Sequence, residues 1–308
     1  MKRLARFNVG IIGAGTVGSV LGRLLINKGH RVACVVSRTM TSARRAGRFL
    51  RCRNVTTSLD EIPAGINLLL ITVPHDAIAG VASALAATDR LDFRKLWVCH
   101  ASGMLTAAVL DPLAQRGSRV FSFHPLQTFP RSFHPRDILE SARGIFYGVD
   151  GSPKAIAAAG RLARELDGQI IVIPPERREF YHAACVVASN HLTTLMWVLE
   201  RMFHVLGTRG RKFSRVFESI MTTTLRNVTS TSPAKALSGP VARGGIDTVG
   251  GHLASIRKHL PEIMPYFIAM TAESVRLAKE KGSIDEACFE AMMDLVRENS
   301  QNQPQVNS

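Results

Sequence analysis

The stretch Phe7-Asn-Val-Gly-Ile-Ile-Gly13-Ala-Gly15-Thr-Val-Gly18-Ser narrows the possible folds of this chain further than any other. An apolar, β-branched run enters three glycines in G-x-G-x-x-G spacing, and a helix-forming segment from Val20 to Ile26 follows. A strand before and a helix after distinguish a dinucleotide-binding turn from a chance glycine triplet. Gly13 permits the tight turn off the strand, and Gly15 has no side chain to hold a pyrophosphate away from the backbone. Gly18 lets the helix lie close on the sheet. Gly13, Ala14, Gly15, Thr16, Val17 and Gly18 are therefore expected against the dinucleotide, with the helix N-terminus supplying N–H donors and a positive dipole end. The plain alternative is an ordinary strand-to-helix turn.

Downstream, strand and helix patterns alternate. Arg31–Val36 reads as a strand, residues 40–50 as a helix and Asn54–Ser58 as a short strand. Asn67–Val73 is apolar throughout, as expected of a central parallel strand covered on both faces. Pro74 stops it, and a helix is expected from Asp76 to Ala87. Leu96–Cys99 and Arg119–Phe123 are further strands around a helix near 105–116. Gly144–Val149, helix 153–167 and Gln169–Ile173 add one more β-α-β unit. The alternation predicts an α/β fold with a doubly wound, mostly parallel Rossmann sheet.

At Pro174-Pro175 the pattern changes. Glu176–Leu206 is one long helical run, followed by helices near 212–229, 252–259, 261–281 and 284–299, with a Ser/Gly/Pro-rich loop at 230–251. A dinucleotide-binding domain over 1–175 and an all-helical domain over 176–308 are expected, and 308 residues suffice for two domains of about 100–200 each. The polar tail from Ser300 is expected to fray.

Composition sorts the partners. Hydrophobic residues at 46% and charged ones at 20% are those of a globular chain. No apolar run approaches the ~20 residues that span a bilayer. No signal-peptide apolar region follows the basic Met1-Lys-Arg start, so a cytoplasmic protein without a membrane partner is expected. Five scattered cysteines without C-x-x-C spacing read as core residues of a reducing compartment, with no metal site. A net charge of +15, with arginines at 44, 45, 48, 51 and 53 and across 201–215, raises the question of nucleic acid. The basic residues fall in helical patterns, aromatic content is 6% and no nucleic-acid-binding motif is present. A solvated basic surface that helps attract anions is the reading taken.

The second strand fixes the expected coenzyme. NAD-binding sheets place Asp or Glu at its end for the ribose 2′-OH. Here Ser37-Arg38-Thr39 stands there, with Thr41, Ser42 and Arg44 behind. A carboxylate repels a 2′-phosphate, whereas hydroxyls and arginine bind one, so NADP(H) is expected through Ser37 and Arg38. Val73 and Pro74, at the carboxyl edge of the fourth strand, are expected to cover the nicotinamide-side ribose or phosphates, and His75 to start a helix.

Four segments carry candidate chemistry. Cys99-His100-Ala-Ser102-Gly103 ends the fifth strand; His100 can exchange a proton near neutrality and Ser102 can donate to a substrate oxygen, or cap the next helix. Phe123-His124-Pro125-Leu126-Gln127 forms a rigid wall, with His124 either lining the substrate site or making a structural hydrogen bond. On the long helix, His182 and Ser189 fall within roughly 20° of each other at 100° per residue, with Asn190 to one side. Such groups bond either to another helix or to substrate, and Asn190 is the preferred orienting residue. Finally, Leu237-Ser-Gly-Pro-Val-Ala-Arg243-Gly244-Gly245 is a shaped loop in which Arg243 can clamp a substrate carboxylate or phosphate or reach the coenzyme, or else stand on a plain surface turn.

These motifs together resemble a poorly characterised family that pairs a Rossmann-like domain with a helical domain of unknown function. The resemblance rests on the three glycines, His100-x-Ser102-Gly103, His124-Pro-Leu-Gln-Thr-Phe129, Tyr181-His182-Ala-Ala with Ala188-Ser189-Asn190, and Leu237-Ser-Gly-Pro-Val-Ala-Arg243-Gly244. That family is similar to the 6-phosphogluconate dehydrogenase-like superfamily, which includes pyrroline-5-carboxylate reductases and β-hydroxyacid dehydrogenases. The resemblance implies nicotinamide-dependent redox chemistry on a small carbonyl, imine or hydroxyacid in an interdomain cleft, and a homodimer formed through the helical domain. One departure matters: no Lys lies in 179–200, and Val186 stands four residues before Asn190, where related dehydrogenases carry their proton-transfer lysine. Either His100 or His182 then supplies the proton, with Ser102 and Asn190 holding the reacting atom and Arg243 an anionic group, or the hydride acceptor needs no strong acid. The alternative is a non-catalytic NADP(H)-binding sensor or scaffold.

Overall fold

A computed structural model describes residues 6–207 and 212–301. Arg209 and Arg211 of the basic segment and the tail beyond residue 301 lie outside the described residues. The chain divides into two compact units, Met1–Asn190 and His191–Ser308.

In the first unit, six strands form a parallel sheet: β1 (Asn8–Ile12), β2 (Arg31–Val36), β3 (Val55–Thr56), β4 (Leu68–Ile71), β5 (Trp97–His100) and β6 (Arg119–Ser122). Their spatial order is β3-β2-β1-β4-β5-β6. The chain therefore reverses direction across the sheet between β1 and β4, where open α/β sheets bind their ligands. The continuous apolar runs have a direct cause. Successive residues point to opposite faces, so Leu68 and Leu70 enter one core while Leu69 and Ile71 enter the other. Helices α1 (Thr16–Asn27) and α2 (Met40–Leu50) cover the first face, and α3 (His75–Ala86) and α4 (Asp111–Gln115) the second.

The expected last β-α-β unit exists but does not extend this sheet. β7 (His124–Pro125) pairs antiparallel with β8 (Phe146–Val149), which pairs parallel with β9 (Gln169–Val172) in a separate three-stranded sheet. Between them lie α5 (Pro135–Leu139) and α6 (Pro153–Glu165). Periodicity gives a strand its type and its alternation, not the sheet it joins. The chain leaves β6 at Phe123, and His124 and Pro125 already pair with Gly148 and Tyr147 of β8. The helix expected near 105–116 is a 3₁₀ turn, Ala107–Leu110, followed by α4.

The long helical run is also interrupted. After α7 (Arg178–Val186), Val187–His191 form a π turn, and α8 (Leu192–Val205) follows. This wider turn breaks the 100° step on which the alignment of His182 with Ser189 rests.

The second unit continues with α9 (Lys212–Ser230), α10 (Pro233–Ala236), α11 (Ile246–His259), α12 (Met264–Glu280) and α13 (Glu286–Gln301). Its core joins Val198, Val249, Leu253, Ile268, Val275, Met292 and neighbours. The segment 230–251 is less loop-like than its composition suggests. Ser232 caps α10 by accepting from the N–H of Lys235 at 3.3 Å, Pro233 occupies the first turn, and α11 begins six residues before position 252.

Candidate active site

The β1–α1 turn meets each requirement placed on its glycines. Gly13 has φ +105, and a Cβ there would lie 2.6 Å from the carbonyl carbon of Thr72. At Gly18 a Cβ would lie 2.5 Å from the Gly13 carbonyl oxygen, so only glycine lets α1 sit this close. At Gly15 nothing lies within 4 Å. Open space at the middle glycine, which caps α1 without a side-chain bond, is where a pyrophosphate can reach the backbone. Thr72, in the turn leaving β4 before Val73 and Pro74, donates its hydroxyl to the Gly13 carbonyl at 2.8 Å and pins this geometry.

Beyond β2, Ser37 is half-buried and Arg38 exposed, and no carboxylate pairs with Arg38 among the described residues. Thr39 caps α2 by accepting from the N–H of Ser42 at 3.3 Å. Arg44, Arg48, Arg51 and Arg53 line a neighbouring surface groove of about 470 Å³. The residues on this side of the turn fit a phosphorylated ribose by charge and by donor type.

Two strands along the same carboxyl edge, a second constellation forms. Ile71 pairs with His100, so the turn after β5 lies beside the turn after β4. His100 is only 1% exposed. The Ser102 N–H donates to its Nδ1 at 3.2 Å, so Nε2 carries the proton and faces the Thr106 carbonyl oxygen at 3.0 Å. Burial pushes its pKa down to about 4. Both nitrogens are thus taken by backbone, and the folded ring presents neither to a ligand. Ser102 Oγ accepts from the N–H groups of Met104 and Leu105, both at 3.2 Å, which leaves its hydroxyl hydrogen to donate.

Gly103 is packed so closely that a Cβ would lie 2.7 Å from His182 Cδ2 and 2.9 Å from His124 Nε2. The missing side chain brings both imidazoles onto the Ser102 turn, and their ring centroids are 6.5 Å apart. His124 Nδ1 lies 2.7 Å from the Tyr181 hydroxyl. Desolvation, then Arg178, holds the His124 pKa down at about 4, with His182 and His100 adding to the effect.

Beneath this group lies a buried ion pair that sequence reasoning missed. Arg178, 1% exposed, donates from Nη2 to the Ser102 carbonyl at 2.9 Å and stands 3.5 Å from Asp150. Asp150 is tied down in turn by the Ala107 N–H at 2.7 Å and by the Ser122 hydroxyl. The guanidinium carbon sits 5.2 Å from the centre of the Tyr181 ring. The available signal was spacing: positions 178, 181 and 182 share one helix face.

The other expected residues stand on other elements. Ser189 turns its hydroxyl back to the Cys185 carbonyl at 2.7 Å within the π turn, 3.0 Å from Asn190 Oδ1, and Asn190 is exposed. Arg243 belongs to the second unit, exposed on a 3₁₀ turn, Val241–Arg243, before Gly244. Among the described residues no group of His, Cys, Asp and Glu could hold a metal ion, and no helix is long and apolar enough to cross a membrane.

Comparison with known proteins agrees with this layout. Residues 1–125 match a Rossmann-like domain family and residues 145–273 a domain of unknown function, DUF2520. The chain pairs a Rossmann-like domain with a DUF2520 domain. No curated protein sequence matches it. Among solved structures, a protein of Bacteroides fragilis described as a candidate NADP oxidoreductase is 21% identical, with a TM-score of 0.70 over 88% of this chain and 98% of that one. A pyrroline-5-carboxylate reductase from Coxiella burnetii is 15% identical, with a TM-score of 0.56 over 98% of this chain and 100% of that one. A reductive aminase from Aspergillus terreus, in complex with NADPH and ethyl-5-oxohexanoate, is 13% identical, with a TM-score of 0.55 over 97% and 96%. At these identities the likeness is one of fold.

Proposed function

We propose that this Rossmann–DUF2520 chain is an NADP(H)-dependent oxidoreductase acting on a small carbonyl, imine or hydroxyacid. The observation that carries the reading is the β1–α1 turn, open only at Gly15, beside a β2 end that offers Ser37, Arg38 and Thr39 in place of a carboxylate. The backbone from Gly13 to Gly18 holds the pyrophosphate, Ser37 and Arg38 hold the 2′-phosphate, and Val73 and Pro74 lie against the nicotinamide half. Bound there, NADP(H) supplies or accepts a hydride. The fold it shares with a candidate NADP oxidoreductase and with a reductive aminase in complex with NADPH supports the same assignment.

On the substrate side, the Ser102 hydroxyl hydrogen donates to the reacting oxygen or nitrogen, and His182 and His124 wall the site at Gly103. Ser189 and Asn190, on the turn that follows α7, orient the substrate. The role of His100 is to hold the Ser102 turn, since its nitrogens are both engaged. A homodimer formed through the helical region covers the exposed Trp197 on α8 and Ile220 on α9, and sedimentation with Trp197→Glu tests it, a wild-type monomer refuting it. A cytoplasmic, reducing compartment suits the five unpaired cysteines.

The engaged nitrogens of His100 and the missing helix lysine favour a second reading, a non-catalytic NADP(H) sensor. Following NADPH absorbance with a panel of ketones and imines decides between them. Consumption with any member supports the enzyme, and tight binding without consumption supports the sensor.

A further inference from the structure

We propose that Tyr181 and His124 form the proton-delivery pair of this site, with Arg178 as the positioning residue that holds the phenol. The inference rests on the oxidoreductase reading and names the proton donor that reading lacks.

Three contacts place the pair. The Tyr181 hydroxyl is 2.7 Å from His124 Nδ1. Gly148, on β8, packs against that hydroxyl so closely that any Cβ would overlap it, which fixes the phenol from the other side. Arg178 stands over the ring, and its own position is set by the Ser102 carbonyl and Asp150. His124 Nε2, the opposite nitrogen, lies against Gly103 beside His182 and takes no hydrogen bond among the described residues. One end of the imidazole therefore meets a proton source, and the other faces the turn that carries Ser102.

Hydride addition to a carbonyl carbon puts the π electrons on oxygen. That oxygen takes the proton from His124 Nε2, and Nδ1 takes the proton of the Tyr181 hydroxyl in the same movement. The imidazole ends neutral as its other tautomer, and the Arg178 guanidinium over the Tyr181 ring offsets the phenolate charge until solvent returns the proton. Imine reduction runs identically, with nitrogen as the acceptor.

Protonation states agree with this use. The groups facing His124 are Tyr181, His182 and, behind them, Arg178 and His100; desolvation leads them in keeping the imidazole neutral above about pH 4. Desolvation also raises the Tyr181 pKa, with Cys185 adding to it and Arg178 opposing it, so the phenol holds its proton at neutral pH. An alkoxide is more basic than either group, so both transfers run downhill.

Isotope-labelled histidine NMR on the full chain, with the His124 resonances assigned through His124→Gln, reads the pair without turnover. Between about pH 5 and 8 the expected state is a neutral ring protonated at Nε2, with an Nδ1 shift that Tyr181→Phe removes. A ring protonated at Nδ1, or one that titrates near 6.5, overturns the proposal. The second arm follows NADPH oxidation with the cyclic imine pyrroline and with cyclohexanone. Tyr181→Phe should lower kcat by about 10²–10⁴-fold with NADPH affinity unchanged, and Arg178→Lys should keep part of that rate; unchanged kcat in Tyr181→Phe overturns the pair. If neither probe is consumed, the NMR result alone decides. Failure of the oxidoreductase reading appears separately, as wild-type chain that binds no NADPH or that binds it and consumes no member of the ketone and imine panel.

Discussion

Gly15→Ala and Gly18→Ala differ by one methyl group placed three residues apart, and the structure assigns them opposite effects. At Gly18 the new Cβ would meet the Gly13 carbonyl oxygen at 2.5 Å and Ile11 Cγ2 at 3.1 Å. Backbone cannot rotate aside, so α1 must lift off the sheet, an overpacking cost of about 1–3 kcal/mol. For a unit the size of Met1–Asn190, each kcal/mol moves the Tm by about 2–4 °C, giving a loss of roughly 2–12 °C. At Gly15 the Cβ meets nothing within 4 Å, and φ −79 with ψ −174 suits alanine. Losing glycine as the helix cap costs about 0.5–1 kcal/mol, and the stiffer unfolded chain returns about 0.4–1 kcal/mol, so the Tm without coenzyme stays near wild type. Coenzyme then separates them. At a hundredfold excess over Kd, NADPH stabilises wild type by about 2.7 kcal/mol, or roughly 5–11 °C. Gly15→Ala should lose most of that gain because its methyl group occupies the pyrophosphate approach. Thermal melts with and without NADPH make the comparison. Gly15→Ala melting as low as Gly18→Ala without coenzyme, or keeping the full NADPH shift, would refute the reasoning.

Arg178→Met keeps most of the side-chain volume but strips the buried Asp150, 3% exposed, of its cation. A loss of about 3–5 kcal/mol in urea unfolding at unchanged m is expected, and a loss too small to resolve would mean the pair is not structural. Acid should weaken the fold through His100 and His124, whose folded pKa values lie near 4, below the ordinary 6.5. The unfolded chain binds more protons between those values, so stability is complete above about pH 6.5 and declines toward 4, by up to about 1.4 kcal/mol per pH unit for each histidine. Unfolding free energies that stay flat from pH 7 to 5 would contradict the assignment of both rings as neutral.

The nucleotide half of the molecule was legible because its signals are local. A strand, three glycines and a helix lie within twenty residues, and apolar runs such as Leu68–Ile71 follow from cover on both faces. The separate sheet of β7, β8 and β9 was not legible, because alternation does not specify a strand's neighbour. The π turn at Val187–His191 contains no Gly or Pro to announce it, and it shifts the faces of Ser189 and Asn190 relative to His182. Candidate chemistry was half readable. Histidine and serine at the ends of strands stand out by type, but whether a nitrogen is free depends on partners such as Thr106, close in space and invisible as a motif. Arg178 and Tyr181 share α7, but they act through distances to Ser102, Asp150 and His124 on other segments, which no single spacing records.

The central claim is that the β1–α1 turn and the end of β2 grip a 2′-phosphorylated dinucleotide. Isothermal titration of the purified chain with NADPH and NADH, repeated on Arg38→Glu, tests it most directly. Saturable NADPH binding, weaker NADH binding, and a preference that shrinks or reverses in Arg38→Glu are expected. Wild-type chain that binds NADH as tightly as NADPH, or neither coenzyme, would contradict it.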